Sequence, residues 1–216
     1  MKNTIVDCRV YTMRAGGMEE FLRLAKSRVL PVQLRHIGAA LAYYKTEIGP
    51  QREVMHLWGY DSLADMESRR ESRNADPEWA HYLRESAGLI EHQETSILRR
   101  APLDIGPAAS AHPDLSVAEI RLTTVKRGHM GELLSAYEKS ALPALKELGI
   151  AIDGYYTSEV GSLNKFLQIT VHKDYSSLER FHQQLAVSPR WQDFQNQAGG
   201  LIFTETLKIA RKIKIA

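Results

Sequence analysis

The heptapeptide Tyr43-Tyr44-Lys45-Thr46-Glu47-Ile48-Gly49 returns 112 positions later as Tyr155-Tyr156-Thr157-Ser158-Glu159-Val160-Gly161. Working outward at the same offset, Leu30-Pro31 falls on Leu142-Pro143, and Gly16 and Met18 fall on Gly128 and Met130. In the other direction Pro77 and Trp79 meet Pro189 and Trp191, and Gly88-Leu89-Ile90 meets Gly200-Leu201-Ile202. No gap is needed, and about 21 of roughly 97 aligned pairs are identical. Composition alone would give ~6%. A period this long excludes a solenoid and indicates a duplicated domain. The copies occupy 1–100 and 116–216. Between them, residues 101–115 carry Pro102, Gly106, Pro107, Ser110 and Pro113, a composition suited to an extended linker.

Each copy reads β-α-β-β-α-β. Residues 5–13 alternate Val6, Cys8 and Val10 with Asp7, Arg9 and Tyr11, and the second copy repeats this with Ala118, Ile120 and Leu122 against Glu119, Arg121 and Thr123. Gly16-Gly17 ends the strand. Met18, Phe21, Leu22, Ala25 and Val29 then follow helical spacing, and Pro31 is expected to kink or end that helix. Strands follow near 39–47 and 53–60 around a Gly49-Pro50 turn. A second helix begins near Ser62, and its counterpart carries a capping-box pattern in Ser176-Ser177-Leu178-Glu179. Asp76-Pro77 and Ser188-Pro189 each place a cap residue before a first-turn proline. Last strands span about 91–99 and 203–213. Such a module folds as a four-stranded antiparallel sheet with helices on one face. The reading is α+β: two ferredoxin-like modules forming, within one chain, the α+β barrel that single modules reach by dimerising.

Lys plus Arg number 28 against 26 Asp plus Glu, a net charge of +2 with the signs interleaved, so a nucleic-acid surface is not expected. The run Lys208, Arg211, Lys212, Lys214 reads as a solvated strand end. The single cysteine, Cys8, excludes an intramolecular disulfide and any multi-cysteine metal site. No stretch reaches the ~18 apolar residues of a membrane span, and no signal-peptide core is evident, so a cytoplasmic protein without membrane association is expected.

The first copy resembles the NIPSNAP family. The residues that carry the resemblance are Arg9-x-Tyr11-Thr12, Gly16, Phe21, Leu30-Pro31 and Gly38, then Tyr44-x-Thr46-Glu47-Ile48-Gly49. They continue through Val54-x-His56-Leu57-Trp58-x-Tyr60, Arg69-Arg70 and Asp76-Pro77-x-Trp79. The chain departs from the pattern at Tyr44, where the family often has tryptophan, and at Arg52, where asparagine is common. The second copy is more diverged, with Gln168 and Thr170 at the His56 and Trp58 positions. The resemblance implies the dimeric α+β barrel fold and supplies no defined reaction.

In that architecture a ligand is expected in the barrel lumen. With Val6, Cys8 and Val10 assigned under the helices, Asp7, Arg9 and Tyr11 face the lumen, as do Glu119, Arg121 and Thr123. His56, Trp58 and Tyr60 alternate on one strand face and offer an acid–base group, a stacking plane and a hydrogen-bond donor. The candidate catalytic residue is therefore His56. The candidate ligand-binding residues are Arg9, Tyr11, Tyr44, Trp58, Tyr60 and Arg121. No metal site is expected; His92-x-Glu94 offers two ligands, too few alone. Three readings stay open. The first is a small organic ligand bound in the lumen, transformed without a cofactor if the protein is an enzyme. The second is a non-catalytic protein-interaction module, and the third is haem binding. A homodimer is compatible with each.

Overall fold

The computed structural model describes residues 4–105 and 114–214. The described chain divides into two compact units at residues 99 and 100, with Ile213 packed on the first unit. In each unit four strands form one antiparallel sheet.

The first unit contains β1 (Ile5–Met13), α1 (Met18–Leu24), α2 (Leu30–His36), β2 (Ala42–Ile48), β3 (Glu53–Tyr60), α3 (Leu63–Asn74), α4 (Pro77–Ser86) and β4 (Ile90–Arg100). β1 lies between β3 and β4, and β2 flanks β3, all antiparallel. The second unit repeats this with β5 (Val117–Val125), α5 (Met130–Ala136), α6 (Leu142–Glu147), β6 (Ala151–Val160), β7 (Lys165–His172), α7 (Tyr175–Ala186), α8 (Pro189–Ala198) and β8 (Ile202–Lys212). Here β5 lies between β7 and β8, and β6 flanks β7.

Pro31, expected to kink or end the first helix, does not end it; the irregularity lies just ahead of it. One π-helical turn, Ala25–Val29, joins α1 to α2, and the Leu30 amide donates to the Ala25 carbonyl five residues back. Pro31 then occupies the first turn of α2, where its missing N–H costs little. The second unit does the same at Tyr137–Ala141, ahead of Pro143. The widened turn shifts the helical phase and sends Val29 and Gln33 toward the sheet. Gly38, at φ 101°, closes α2 by donating to the Gln33 carbonyl at 2.9 Å, a conformation that favours glycine.

The second helical region is two helices in each unit, divided at the predicted prolines. Asp76 caps α4 by accepting from the Glu78 amide, and Ser188 caps α8 by accepting from Trp191. The capping box of α7 is not the one read from Ser176 to Glu179. Asp174 is the cap, and Ser177 is its reciprocal partner. Both β2–β3 and β6–β7 turns carry a non-glycine residue in the left-handed region, Arg52 at φ 66° and Asn164 at φ 58°. Each carbonyl there accepts from the end of the neighbouring strand, from Met13 at 2.9 Å and Val125 at 2.8 Å.

Of the expected linker, residues 106–113 lie outside the described residues. The part before them is docked rather than extended. Ala101 donates to the Tyr155 carbonyl at 2.8 Å, and Leu103 and Ile105 pack against the second unit's core.

Candidate functional site

Strand register assembles the site. Across β1 and β3, Arg9 lies opposite His56 and Asp7 opposite Trp58; across β2 and β3, Tyr43 lies opposite His56. Opposed residues share a sheet face, and the period of two extends that face through Tyr11, Trp58 and Tyr60. The face looks toward the helices. Tyr11 meets Phe21 of α1 edge-on at 6.2 Å, and Arg70 of α3 pairs with Asp7.

This corrects the assignment of β1 to the lumen. Asp7, Arg9 and Tyr11 sit under the helices, and Val6, Cys8 and Val10 take the other face. Both faces of β1 are covered, so the apolar–polar alternation does not separate inside from outside. The expected place of Tyr44 also reverses. Tyr43, not Tyr44, shares the face of His56 and stacks on it at 4.8 Å with planes 9° apart. Arg121 belongs to the second unit, where it bonds Glu119 at 3.0 Å and also Glu205.

Arg9, Tyr11, His56, Trp58 and Tyr60 thus converge with Asp7 and Tyr43. Above them stand Gln33 of α2, Arg73 of α3, and Trp79 and Tyr82 of α4, around a cavity of about 20 Å³. That is room for about one water. Arg9 donates through Nε to Asp7 Oδ2 and through Nη1 to Tyr11 Oη, both at 2.9 Å. Burial opposes the charge on Arg9, but Tyr11 and Asp7 outweigh it and hold the guanidinium firmly protonated. The Arg73 guanidinium lies over the Trp79 ring at 4.1 Å. Burial and the nearby Arg9 lower its pKa.

His56 is held neutral. Burial, and secondarily Arg9, lowers its pKa to about 3. The Trp58 indole donates to Nδ1 at 2.6 Å. Indole is a donor only, so Nδ1 must be the unprotonated nitrogen and the ring proton sits on Nε2. His56 Nε2, Gln33 Oε1 and Asp7 Oδ1 are buried and have no partner among the described residues, and all three side chains line the cavity. Buried polar atoms rarely stay unpaired. The acid–base role expected of His56 changes accordingly, because its lone pair is committed to Trp58 and its free function is that of a donor.

A haem does not fit beside His56. Tyr43 and Tyr11 pack on the ring, Nδ1 is taken, and the adjoining space is water-sized. No cluster of three potential metal ligands occurs among the described residues, and His92 with Glu94 forms an exposed pair at 3.3 Å.

Sequence reasoning missed Gln33, Arg70, Arg73 and Tyr82. The signal lay in the repeat itself. At the 112-residue offset these positions become Leu145, His182, Leu185 and Phe194, and Ala25 becomes Tyr137. In the second unit Tyr137 fills the corresponding volume, packing on Phe166 at 4.8 Å and Phe194 at 4.5 Å and donating to Gln168 Oε1 at 2.7 Å. One copy keeps a polar cavity, and the other packs it with an aromatic cluster.

The NIPSNAP family model matches residues 6–103 and again residues 118–216. The chain belongs to the NIPSNAP family. Among solved structures it is similar to a NIPSNAP family protein of unknown function from Agrobacterium tumefaciens. That likeness is 32% identity over 45% of this chain and 87% of the other, with a TM-score of 0.44. A second Agrobacterium tumefaciens NIPSNAP family protein is 36% identical over 45% and 86%, also at 0.44. An anthrone oxidase-like protein covers 98% of this chain and 92% of its own at 8% identity and a TM-score of 0.69, a likeness of fold alone. No curated protein matches the chain. Each family match spans one module; the first holds the polar cavity, and the second has an aromatic cluster in its place. No helix among the described residues is long and apolar enough to cross a membrane.

Proposed function

We propose that the first module binds a small organic molecule with an acidic oxygen, a phenol or an enolisable carbonyl compound, in the cavity between its own sheet and helices. The observation that carries this reading is the convergence of three buried, unpartnered polar atoms, His56 Nε2, Gln33 Oε1 and Asp7 Oδ1, on one cavity. The neutral imidazole donates to the ligand oxygen and stabilises charge developing there. Asp7 Oδ1 is a carboxylate oxygen free to take a proton, while Arg9 and Arg70 hold its other oxygen. Tyr43, Trp58, Trp79 and Tyr82 supply the aromatic walls. The chemistry available without a cofactor is proton transfer at an enolisable carbon or phenolic oxygen. A ligand larger than water needs α4 to move outward with Trp79, which is half-buried.

The test uses tryptophan fluorescence, since Trp58 and Trp79 both line the cavity. The intact protein is titrated with a panel of phenols and 1,3-diketones. Saturable quenching that is lost in His56→Gln and in Arg73→Leu, residues the second copy carries at these positions, supports the proposal. Quenching that both variants keep, or none across the panel, overturns it.

A further inference from the structure

The second unit carries a larger opening on a different face. A cleft of about 310 Å³ lies between α7, the end of β7 and the turn from α6 into β6. This is the lower end of the ~300–1000 Å³ typical of small-molecule sites. From α7 it receives Ser177, Arg180, Phe181 and Gln184, spaced i, i+3, i+4 and i+7 along one helix face. Leu148, Ile150 and Val171 continue the apolar floor that Phe181 begins, and Lys173 stands with Arg180 at the rim.

The first copy shows what this place is when it is closed. At the 112-residue offset Phe181 is Arg69, whose guanidinium donates to the Ile37 carbonyl at 2.9 Å and to Asp65 at 2.7 Å. Gln184 is Ser72, bonded to His36 at 2.9 Å, and His36 corresponds to Leu148. Those bridges tie α3 to the end of α2. In the second copy every bridging group is replaced, and the charge is reversed as well. Asp61, Asp65 and Ser68 become Lys173, Ser177 and Arg180. Neither Lys173 nor Arg180 makes an ion pair among the described residues. The neighbouring carboxylate, Asp174, accepts from the Ser177 amide at 2.7 Å as the cap of α7 and feels both cations only through space, without a direct ion pair. Lost bridges alone would leave a packing defect. Lost bridges together with two cations that lack a direct ion pair, over an apolar floor, make a receptor for an anion with a hydrocarbon body.

The geometry points to a second ligand site in this cleft, one that takes an organic carboxylate with an apolar chain. The carboxylate lies between Lys173 and Arg180, and the chain lies along Leu148, Ile150, Val171 and Phe181. This site is independent of the one around His56 and does not rest on that reading.

Isothermal titration of the intact protein with sodium octanoate tests it, with inorganic phosphate as the anion without a body and 1-octanol as the body without charge. Octanoate is expected to bind saturably, and phosphate and octanol at least about tenfold more weakly, the loss of one charge-assisted contact. The double variant Lys173→Asp/Arg180→Ser, which restores the first copy's residues, is expected to lose octanoate by at least a similar factor. Arg180→Gln, an exposed and conservative change, is expected to lose part of it should the double variant fold poorly. His56→Gln leaves octanoate binding unchanged. Equal affinity for phosphate or octanol, binding indifferent to Lys173 and Arg180, binding lost in His56→Gln, or no saturable octanoate heat each overturns the assignment.

Discussion

The indole N–H of Trp58 donates to Nδ1 of His56 at 2.6 Å inside the first unit, and this one bond assigns the imidazole tautomer. The consequence is a pH dependence of defined sign. Folding lowers the His56 pKa from 6.5 to about 3, chiefly by burial, and that of His172 to about 4 for the same first cause. The unfolded chain binds these protons first as pH falls. Stability is therefore full above about pH 6.5 and declines toward pH 4. Thermal melts across that range are expected to show the decline, and His56→Gln should make it shallower. A His56 ring that titrates near 6.5 by NMR in the folded protein would contradict the buried, neutral assignment.

Asp7 is buried at 1% exposure, with Arg9 and Arg70 both on Oδ2. Asp7→Ala leaves two guanidiniums facing each other without their shared anion. Breaking a buried pair from one side costs about 3–5 kcal/mol. Denaturant unfolding should register that loss, and a cost below about 1 kcal/mol would mean that solvent reaches the site freely.

Tyr137 packs on Tyr155, Phe166 and Phe194 and bonds Gln168. Tyr137→Ala is expected to open a cavity and cost about 3–5 kcal/mol. The reciprocal change, Ala25→Tyr in the first unit, should block phenol binding there while the fold survives, at about 1–3 kcal/mol for overpacking. Phenol quenching that persists in Ala25→Tyr would place the ligand elsewhere.

Gly154 lies under the ring of Tyr156, and a Cβ there would stand 2.4 Å from its Cζ. Tyr156 is itself buried at 1% exposure, so its ring can give way only by displacing packed neighbours. Gly154→Ala should cost about 1–3 kcal/mol as an overpacking change. An unchanged melting temperature would show that β6 yields at its bulge beside Ile152.

Much of the candidate site was legible at the level of residues and little of it at the level of direction. Arg9, Tyr11, His56, Trp58 and Tyr60 were singled out and do meet around one cavity. Their face was inverted because Val6 and Asp7, at 0% and 1% exposure, are equally buried. A strand covered on both sides offers no polar face to read. Tyr43 and Tyr44 posed the same ambiguity, and only the register of β2 on β3 resolved it.

By itself the sequence determined the duplication, the α+β modules, the limits of most strands to within about a residue and the helix starts at Pro77 and Pro189. These follow from local physics, namely the period of side chains, the fixed φ of proline and the needs of helix ends, together with identity at one offset. Only the tertiary structure decided which helix residues close over the sheet. Gln33, Arg73 and Tyr82 reach His56 through the phase set by a π-helical turn and the docking of α3 and α4. It also decided that the second copy's cavity is filled while a cleft opens beside Lys173 and Arg180. Such outcomes depend on packing between residues distant in the chain, which side-chain period and local propensity do not encode.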